Sequence, residues 1–188
     1  STEVNLNRDA SDNGGSVSIA SGATLEIMDG SSLNVAGNWL NDGAFIPGTS
    51  MVTFNTDENI NLNGGSSFYD LDINSSSAAT VFTTTGSLDV DHNLSITSGT
   101  LRVDDPAHTI RVGNDLTVDA TNGHIEIGTG SIVLDGVNQA IDVAAEALHH
   151  LSLEGSGTKT LNSGLVLNGN LDIAAGITLS AGAEDISL

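Results

Sequence analysis

The sequence predicts an all-β fold, a parallel β-helix (β-solenoid) with about three short strands in each rung. Three observations predict it. Apolar–polar–apolar triplets recur from end to end, Gly, Asn, Asp and Ser fill the intervals between them, and Pro (2 residues) and aromatic residues (3%) are scarce. Strands this brief suit a coiling chain better than a sandwich. At roughly 20–27 residues per rung and about 4.8 Å between rungs, the chain would form a rod about 35–45 Å long.

The triplets carry the strand prediction, because one apolar and one polar face with a period of two is typical of a half-buried strand. About two dozen occur, typically about 6–10 residues apart. Examples are Val17–Ile19, Leu33–Val35, Leu71–Ile73, Leu88–Val90, Leu94–Ile96, Ile110–Val112, Leu116–Val118, Ile125–Ile127 and Leu171–Ile173. Asn63–Gly65 and Asn122–Gly123 are typical turn residues. Val143–Leu148 is the best candidate for a turn of helix at a corner.

Charge and composition exclude several classes of partner. The formal net charge is −20, and the only positive residues are Arg8, Arg102, Arg111 and Lys159. Nucleic acid is excluded because phosphate binding needs clustered Lys and Arg, and an anionic membrane surface would repel the chain. We expect no membrane insertion, because no apolar run approaches the length of a membrane helix. There is no Cys. The start at Ser1 fits a removed leader or an excised segment.

A longer repeat lies within a single predicted domain, residues 1–188. Residues 33–101 align with residues 110–179 at a period of about 80 residues, which is typical of arrays in which each unit covers its neighbour's apolar edge. The matching segments are Leu33–Val35 with Ile110–Val112, Val52–Asn55 with Ile132–Asp135, Tyr69–Ile73 with His149–Leu153, and Asn93–Ile96 with Asn170–Ile173.

Three segments of the first copy carry a family resemblance. Gly37–Gly43, Val52–Asn55 and Phe68–Ile73 together resemble the repeat cassette of large bacterial surface proteins, the filamentous adhesins and autotransporter passengers. The resemblance covers the chain from about residue 16 onward. It implies a right-handed parallel β-helix that is secreted and usually part of a longer polypeptide. The second copy departs from the pattern, with His149 and His150 in place of an aromatic residue and Asp115 where the first copy has Trp.

Paired carboxylates are the candidate cation ligands. Asp70 and Asp72 flank Leu71, and Asp89 and Asp91 flank Val90, so each pair projects from one strand face. Ca²⁺ binds such oxygens, but neither a Gly-rich calcium-binding nonapeptide nor an EF-hand loop is present. We therefore predict solvated surface carboxylates and no metal or cofactor, with Ca²⁺ as the alternative.

Acidic and basic residues concentrate at one place, where Asp104 and Asp105 lie near Arg102 and Arg111. A polysaccharide-cleaving β-helix would need such groups along one groove. With so few basic residues, an ion-paired turn is the preferred interpretation. No Gly-x-Ser-x-Gly elbow or phosphate-binding Gly-rich loop occurs. We predict no catalytic residues and no enzyme activity.

The histidines and aromatic residues are interpreted as structural or surface residues. His149 and His150 are neighbours in an expected strand and should point to opposite faces, while His92, His108 and His124 are dispersed. The aromatic residues able to stack on sugars are Trp39, Phe68, Tyr69 and Phe82, and alternation places at least one of Phe68 and Tyr69 inside. Thr83–Thr85 is typical of an ice-binding row but occurs once.

These patterns favour a non-catalytic structural protein, a surface rod or self-assembling filament subunit, and the resemblance implies a location at the cell surface or outside a bacterial cell. Its expected partners are copies of itself stacked end to end, or neighbouring repeats of a longer chain. Triplets run from Val4–Leu6 to Ile186–Leu188, and open rung edges pair readily with further backbone. An adhesin segment that binds glycan or matrix is the alternative, and a polysaccharide-degrading enzyme is a third.

Overall fold

The computed structural model describes residues 3–6, 15–56, 60–64, 67–103 and 105–188. For residues 3–6, 60, 61, 63 and 64 it describes the backbone alone. Arg8, Gly65 and Asp104 lie outside the described residues. The described chain contains no helix, so the all-β prediction is confirmed. The strands are β1 (Glu3–Leu6), β2 (Val17–Ile19), β3 (Thr24–Glu26), β4 (Ser32–Val35), β5 (Trp39–Asn41), β6 (Ala44–Ile46), β7 (Met51–Phe54), β8 (Ile60–Gly64), β9 (Ser67–Phe68), β10 (Asp70–Asn74), β11 (Val81–Thr84), β12 (Leu88–Val90), β13 (Leu94–Val103), β14 (Thr109–Val112), β15 (Leu116–Val118), β16 (Gly123–Glu126), β17 (Ser131–Leu134), β18 (Gln139–Asp142), β19 (Ala147–Leu148), β20 (His150–Leu153), β21 (Thr158–Leu161), β22 (Leu165–Leu167), β23 (Leu171–Ile173), β24 (Thr178–Ser180) and β25 (Ile186–Ser187).

Three strands make one rung, and the chain winds through about eight turns. Face A is built from β1, β4, β7, β10, the first half of β13, β15, β18, β21 and β24. Face B contains β2, β5, β8, β11, the second half of β13 and β16, followed by β19, β22 and β25. Face C contains β3 and β6, followed by β9, β12, β14, β17, β20 and β23. Every pairing between the described strands is parallel, which confirms the predicted parallel β-solenoid.

The register keeps apolar side chains in columns inside the coil. On face A, Leu33 pairs with Val52, and Leu116 pairs with Ile141. Between Leu33 and Leu161, one rung therefore takes 19 to 25 residues, close to the range predicted from the triplets. All five of these side chains are buried. Because strand side chains alternate, each triplet contributes two residues to the core and one to the surface.

Large aromatic side chains fill the core of the rungs that precede β13. Trp39 meets Phe45 edge-on, with ring centroids 4.8 Å apart, and Phe68 lies 5.1 Å from Trp39. Phe54 contacts Trp39 and Phe68 and connects the cluster to Phe82. Edge-to-face and tilted pairs at these separations add to the stabilisation from burial. The later rungs rely on Leu, Ile and Val instead.

The corner at residues 143–148 differs from the predicted turn of helix. Ala144 and Ala145 have φ of 51° and 59°, and Glu146 N donates to Val143 O at 2.8 Å. Two consecutive central residues with positive φ define a tight turn of the I′ kind. The helix prediction for Val143–Leu148 is therefore wrong. The apolar spacing reflects two buried residues, Val143 and Leu148, on either side of a turn.

The aligned segments of the repeat occupy different faces of the coil. Leu33–Val35 lies on face A, whereas its match Ile110–Val112 lies on face C, and the other matched segments show the same offset. The similarity between residues 33–101 and 110–179 is thus a similarity of strands and corners. The offset follows because the repeat does not contain a whole number of rungs.

One interior column contains a hydroxyl without a partner. Thr84 is buried, its Oγ1 has no hydrogen-bond partner, and its register neighbours are the buried residues Leu62 and Val103. We expect Thr84→Val to raise the free energy of unfolding by about 1–2 kcal/mol, because it removes an unsatisfied buried group at constant shape. Denaturant unfolding measures this.

Thr80→Val is the matched control for that substitution. Thr80 is equally buried, but its Oγ1 accepts a hydrogen bond from Ser75 Oγ at 2.8 Å. The control should lose about 1 kcal/mol, since the Ser75 hydroxyl would be left without its acceptor. Equal losses in both variants would show that the Thr84 hydroxyl is satisfied in solution.

Candidate functional site

A ladder of side chains runs along the corner between faces C and A. Asp70 Oδ1 accepts from Asn93 N at 3.0 Å, Asn93 Oδ1 accepts from Asp115 N at 3.2 Å, and Asp115 Oδ1 accepts from Ala140 N at 2.7 Å. Each side chain thereby satisfies a backbone N–H one rung further on. We call Asp70, Asn93 and Asp115 the corner ladder. Its side-chain oxygens accept hydrogen bonds from backbone N–H groups at a tight corner, where the hydrogen bonds between strands are interrupted.

Two stacked rings lie at this corner, next to Asp70 and Asn93. His92 stacks on Tyr69 with ring centroids 4.7 Å apart and an interplanar angle of 14°. Its Nδ1 lies 2.8 Å from Asp70 Oδ1. Tyr69 lies in the bend between β9 and β10, outside the core that contains Phe68, so the expectation that at least one of the two is internal is confirmed.

The two predicted carboxylate pairs lie on different faces of the coil. Asp70 and Asp72 lie on face A, whereas Asp89 lies on face C. Asp72 Oδ1 accepts from Thr97 Oγ1 at 2.8 Å. Among the described residues, no group of three or more His, Asp and Glu side chains is arranged to hold a metal ion.

Burial changes the acid–base behaviour of two of these carboxyl groups. Burial raises the pKa of Asp72 above the usual 3.8, although the hydrogen bond from Thr97 acts to lower it. It also raises the pKa of Asp89, where Asp91 and Asp135 act in the same direction and Arg111 opposes them. A carboxyl group whose pKa is higher in the folded state binds protons more tightly there, so stability increases as the pH falls through that pKa.

We therefore expect Asp72→Asn to stabilise the protein at pH 7 by about 0.5 kcal/mol, a small value because solvent screens a half-buried carboxylate. The amide oxygen still accepts from Thr97. The variant should also lose part of the stability that the wild type gains between pH 7 and pH 4.5, measured as denaturation midpoints.

Asp119→Asn is the control with the opposite sign. Hydrogen bonds from the backbone N–H groups of Thr121 and Asn122 lower the pKa of Asp119. Its stabilising effect is present at pH 7 and lost on acidification. Asp119→Asn should therefore destabilise at pH 7, and a gain in that variant would contradict the assignment.

Arg102 and Arg111, the arginines in the described part of the chain, lie on different faces and pair across rungs. Arg102 in β13 contacts Glu126 Oε2 at 2.6 Å from Nη2, while Arg111 in β14 contacts Asp135 at 2.7 Å and Glu154 at 3.5 Å. Asp105 instead accepts from Ala107 N within its own turn. Arg102 is on face B and Arg111 on face C, so the described ion pairs of these arginines run between rungs, and Asp105 takes no part in them. The part of the predicted ion-paired turn that involves Asp104 lies outside the described residues.

His149 and His150 contact each other, with ring centroids 4.2 Å apart at 81°. The expectation that they point to opposite faces is wrong, because a bend at His149 between β19 and β20 interrupts strand alternation. His150 Nδ1 accepts from Asn170 N at 2.9 Å. His124 Nδ1 lies 2.7 Å from Glu146 Oε1, one rung further on.

The side chains considered for sugar or ice binding lie largely inside the coil. Trp39, Phe68 and Phe82 are buried. Within Thr83–Thr85, Thr84 points inward, and Thr83 has Arg102 as its register neighbour. The described residues around Thr83 therefore do not continue a threonine row.

Sequence reasoning missed a buried lysine. Lys159 is 0% exposed, and its Nζ donates to Gly136 O at 2.7 Å and to Gln139 Oε1. Burial lowers the pKa of Lys159, and Asp135 opposes the shift. Its burial could have been predicted from its position two residues before the apolar Leu161, since alternate residues of β21 lie on the same face of the strand.

The C-terminal edge is the second candidate site, and we define it by Ile173, Ile186 and Leu188. Ile173 pairs with Leu153 one rung before, yet Leu153 is 0% exposed and Ile173 is 46% exposed. Leu165 and Ile186 show the same contrast, at 0% and 39%. Side chains that occupy core positions are thus buried in the preceding rung and exposed in the last one. Within the described chain, β23, β24 and β25 each pair with one strand only.

These features define the chain as a parallel β-solenoid, a fold compatible with β-helix repeat proteins. No family model matches it, and comparison with curated proteins and with solved structures found no match. Among the described residues, no helix is long and apolar enough to cross a membrane.

Proposed function

We propose that this chain is a non-catalytic structural rod that stacks end to end with copies of itself, at a bacterial cell surface or outside the cell. The observation that carries the proposal is the C-terminal edge, where apolar side chains in core positions are exposed. A further rung placed there would bury them and pair the open strands. Buried apolar area is the main driving force for such association. Neighbouring rungs of a longer chain would satisfy the same edge.

The net charge fits this role and predicts its salt dependence. Copies that each carry −20 repel one another at low ionic strength. Salt screens that repulsion within about 8–10 Å at physiological concentration, whereas the apolar contact persists. Association is therefore expected to strengthen with salt, the opposite of an interface held by ion pairs.

Sedimentation velocity over a range of protein concentrations at physiological salt tests the proposal. The wild type should form species larger than the monomer. Ile186→Asp should weaken association at least about tenfold, because an unpaired carboxylate in an apolar contact costs more than about 1.4 kcal/mol.

Val137→Asp is the matched control, since Val137 is 64% exposed but lies away from the C-terminal edge. It should associate as the wild type does. Equal effects of the two substitutions, or a wild type that stays monomeric, would contradict stacking through this edge. Glycan binding by such a monomer would favour the alternative of an adhesin segment.

A further inference from the structure

Lys159 lies in a setting that is costly for a lysine. It is fully buried between β18 and the last rungs, and the hydrogen-bond acceptors of its Nζ are the carbonyl of Gly136 and the side chain of Gln139. Both acceptors are uncharged. A buried ammonium group without a hydrogen-bonded counter-ion destabilises the folded state. The site therefore favours any change that removes the charge.

The carboxamide beside this amine is held in one orientation. Gln139 is buried, and its Oε1 accepts from Gly136 N at 2.9 Å as well as from Lys159. Its Nε2 donates to Val112 O at 2.9 Å and to Asn114 O. The oxygen side of the amide thus faces the lysine, and a backbone N–H is already directed at that oxygen.

We propose that Lys159 and Gln139 become joined by an isopeptide bond that links β21 to β18 in the rung before it. The unprotonated Nζ attacks Cδ of Gln139, and the charge that develops on Oε1 is stabilised by the N–H of Gly136. A proton passes from Nζ to Nε2, the Cδ–Nε2 bond breaks, and ammonia leaves. One amide replaces another, so no oxidant or reductant is needed.

Three physical effects favour the reaction. Groups held in contact within one folded chain react with effective molarities of about 10⁵–10⁸ M in well-oriented cases, and they remain in contact for the lifetime of the protein. The product is neutral and removes the cost of a buried cation, while ammonia escapes to solvent. Burial also lowers the pKa of Lys159, which increases the fraction of unprotonated amine.

The bond would lock the rungs next to the C-terminal edge. Residues 139 and 159 are register partners on face A, so the bond would close a loop of one rung. A solenoid separates most easily by peeling its terminal rungs, and this bond would resist peeling at that point. The inference does not depend on self-association, because it concerns contacts within one chain.

The test is the intact mass of the purified wild type, measured under denaturing conditions after incubation of the folded protein at mildly alkaline pH. We expect a mass below that of the sequence by one ammonia. Proteolytic mapping should recover a peptide containing Gln139 linked to a peptide containing Lys159. Because the linked peptide is detected in the wild type, this result does not depend on the folding of any variant.

Lys159→Met is the control for other losses of ammonia. Asn-Gly sequences such as Asn122–Gly123 and Asn168–Gly169 can also expel ammonia by cyclising, and Lys159→Met leaves them intact. The loss that comes from the Gln139–Lys159 bond should be absent from this variant, so any deficit it retains measures the Asn-Gly sites. A wild type of full mass, or a wild-type deficit without the peptide that links Gln139 to Lys159, would overturn the proposal.

Discussion

Gly136→Ala is expected to destabilise the protein by about 3 kcal/mol or more, and to prevent folding if the remaining stability is small. A Cβ at this position would lie far inside 3.0 Å of the carbonyl oxygen of Gly113. Gly113 stands in the same relation to Asp91 O, and Gly155 to Asp135 O. Successive rungs thus approach each other backbone to backbone at this corner. A methyl group can enter only if the rungs separate.

Gly86→Ala is the control for this prediction. Gly86 lies in a corner where no atom of the described residues comes within 4 Å of a Cβ, and its φ is not positive. Alanine there should be neutral or stabilising by up to about 1 kcal/mol, since it restricts the unfolded chain. Denaturant unfolding of both variants compares them. Equal stability would show that the rungs at Gly136 are not in close backbone contact.

Phe68→Ala should cost about 3–5 kcal/mol, the range for removing a buried aromatic ring. Phe68 is buried among Trp39, Phe45 and Phe54, with centroids at 5.1, 5.6 and 6.3 Å. The cavity would lie in the centre of the aromatic cluster, where no strand can move inward without breaking the parallel ladder. Since Trp39 is the single Trp, its fluorescence should shift to longer wavelength as water reaches it.

Met28→Ala is the matched control, because Met28 is 71% exposed. Its effect should stay within about 0.5 kcal/mol. If Phe68→Ala cost less than about 1 kcal/mol with no change in Trp39 fluorescence, the aromatic cluster would not be the close-packed core described above.

Strand positions could be predicted because alternation is local. Leu71–Ile73 and Leu116–Val118 are strands with two buried residues each, as their triplets indicated. The face that a strand occupies could not be predicted, because rungs differ in length and the number of residues in each corner determines where the next strand begins. The 80-residue repeat illustrates this, because its matched strands lie on different faces.

The details of the corners were also beyond sequence reasoning. Nothing in Ala144-Ala145 indicates positive φ, and that turn replaced a predicted helix. The bend at His149 brought two rings together that strand alternation would have separated. The corner ladder depends on contacts between residues more than 20 positions apart. Such contacts exist only once the register between rungs is known.

Electron microscopy of the wild type at high concentration and physiological salt tests the proposed function most directly. Stacking through Ile173, Ile186 and Leu188 predicts unbranched rods longer than the roughly 40 Å that about eight rungs span at about 4.8 Å each. A field of dispersed single particles of that length, unchanged by added salt, would contradict end-to-end assembly.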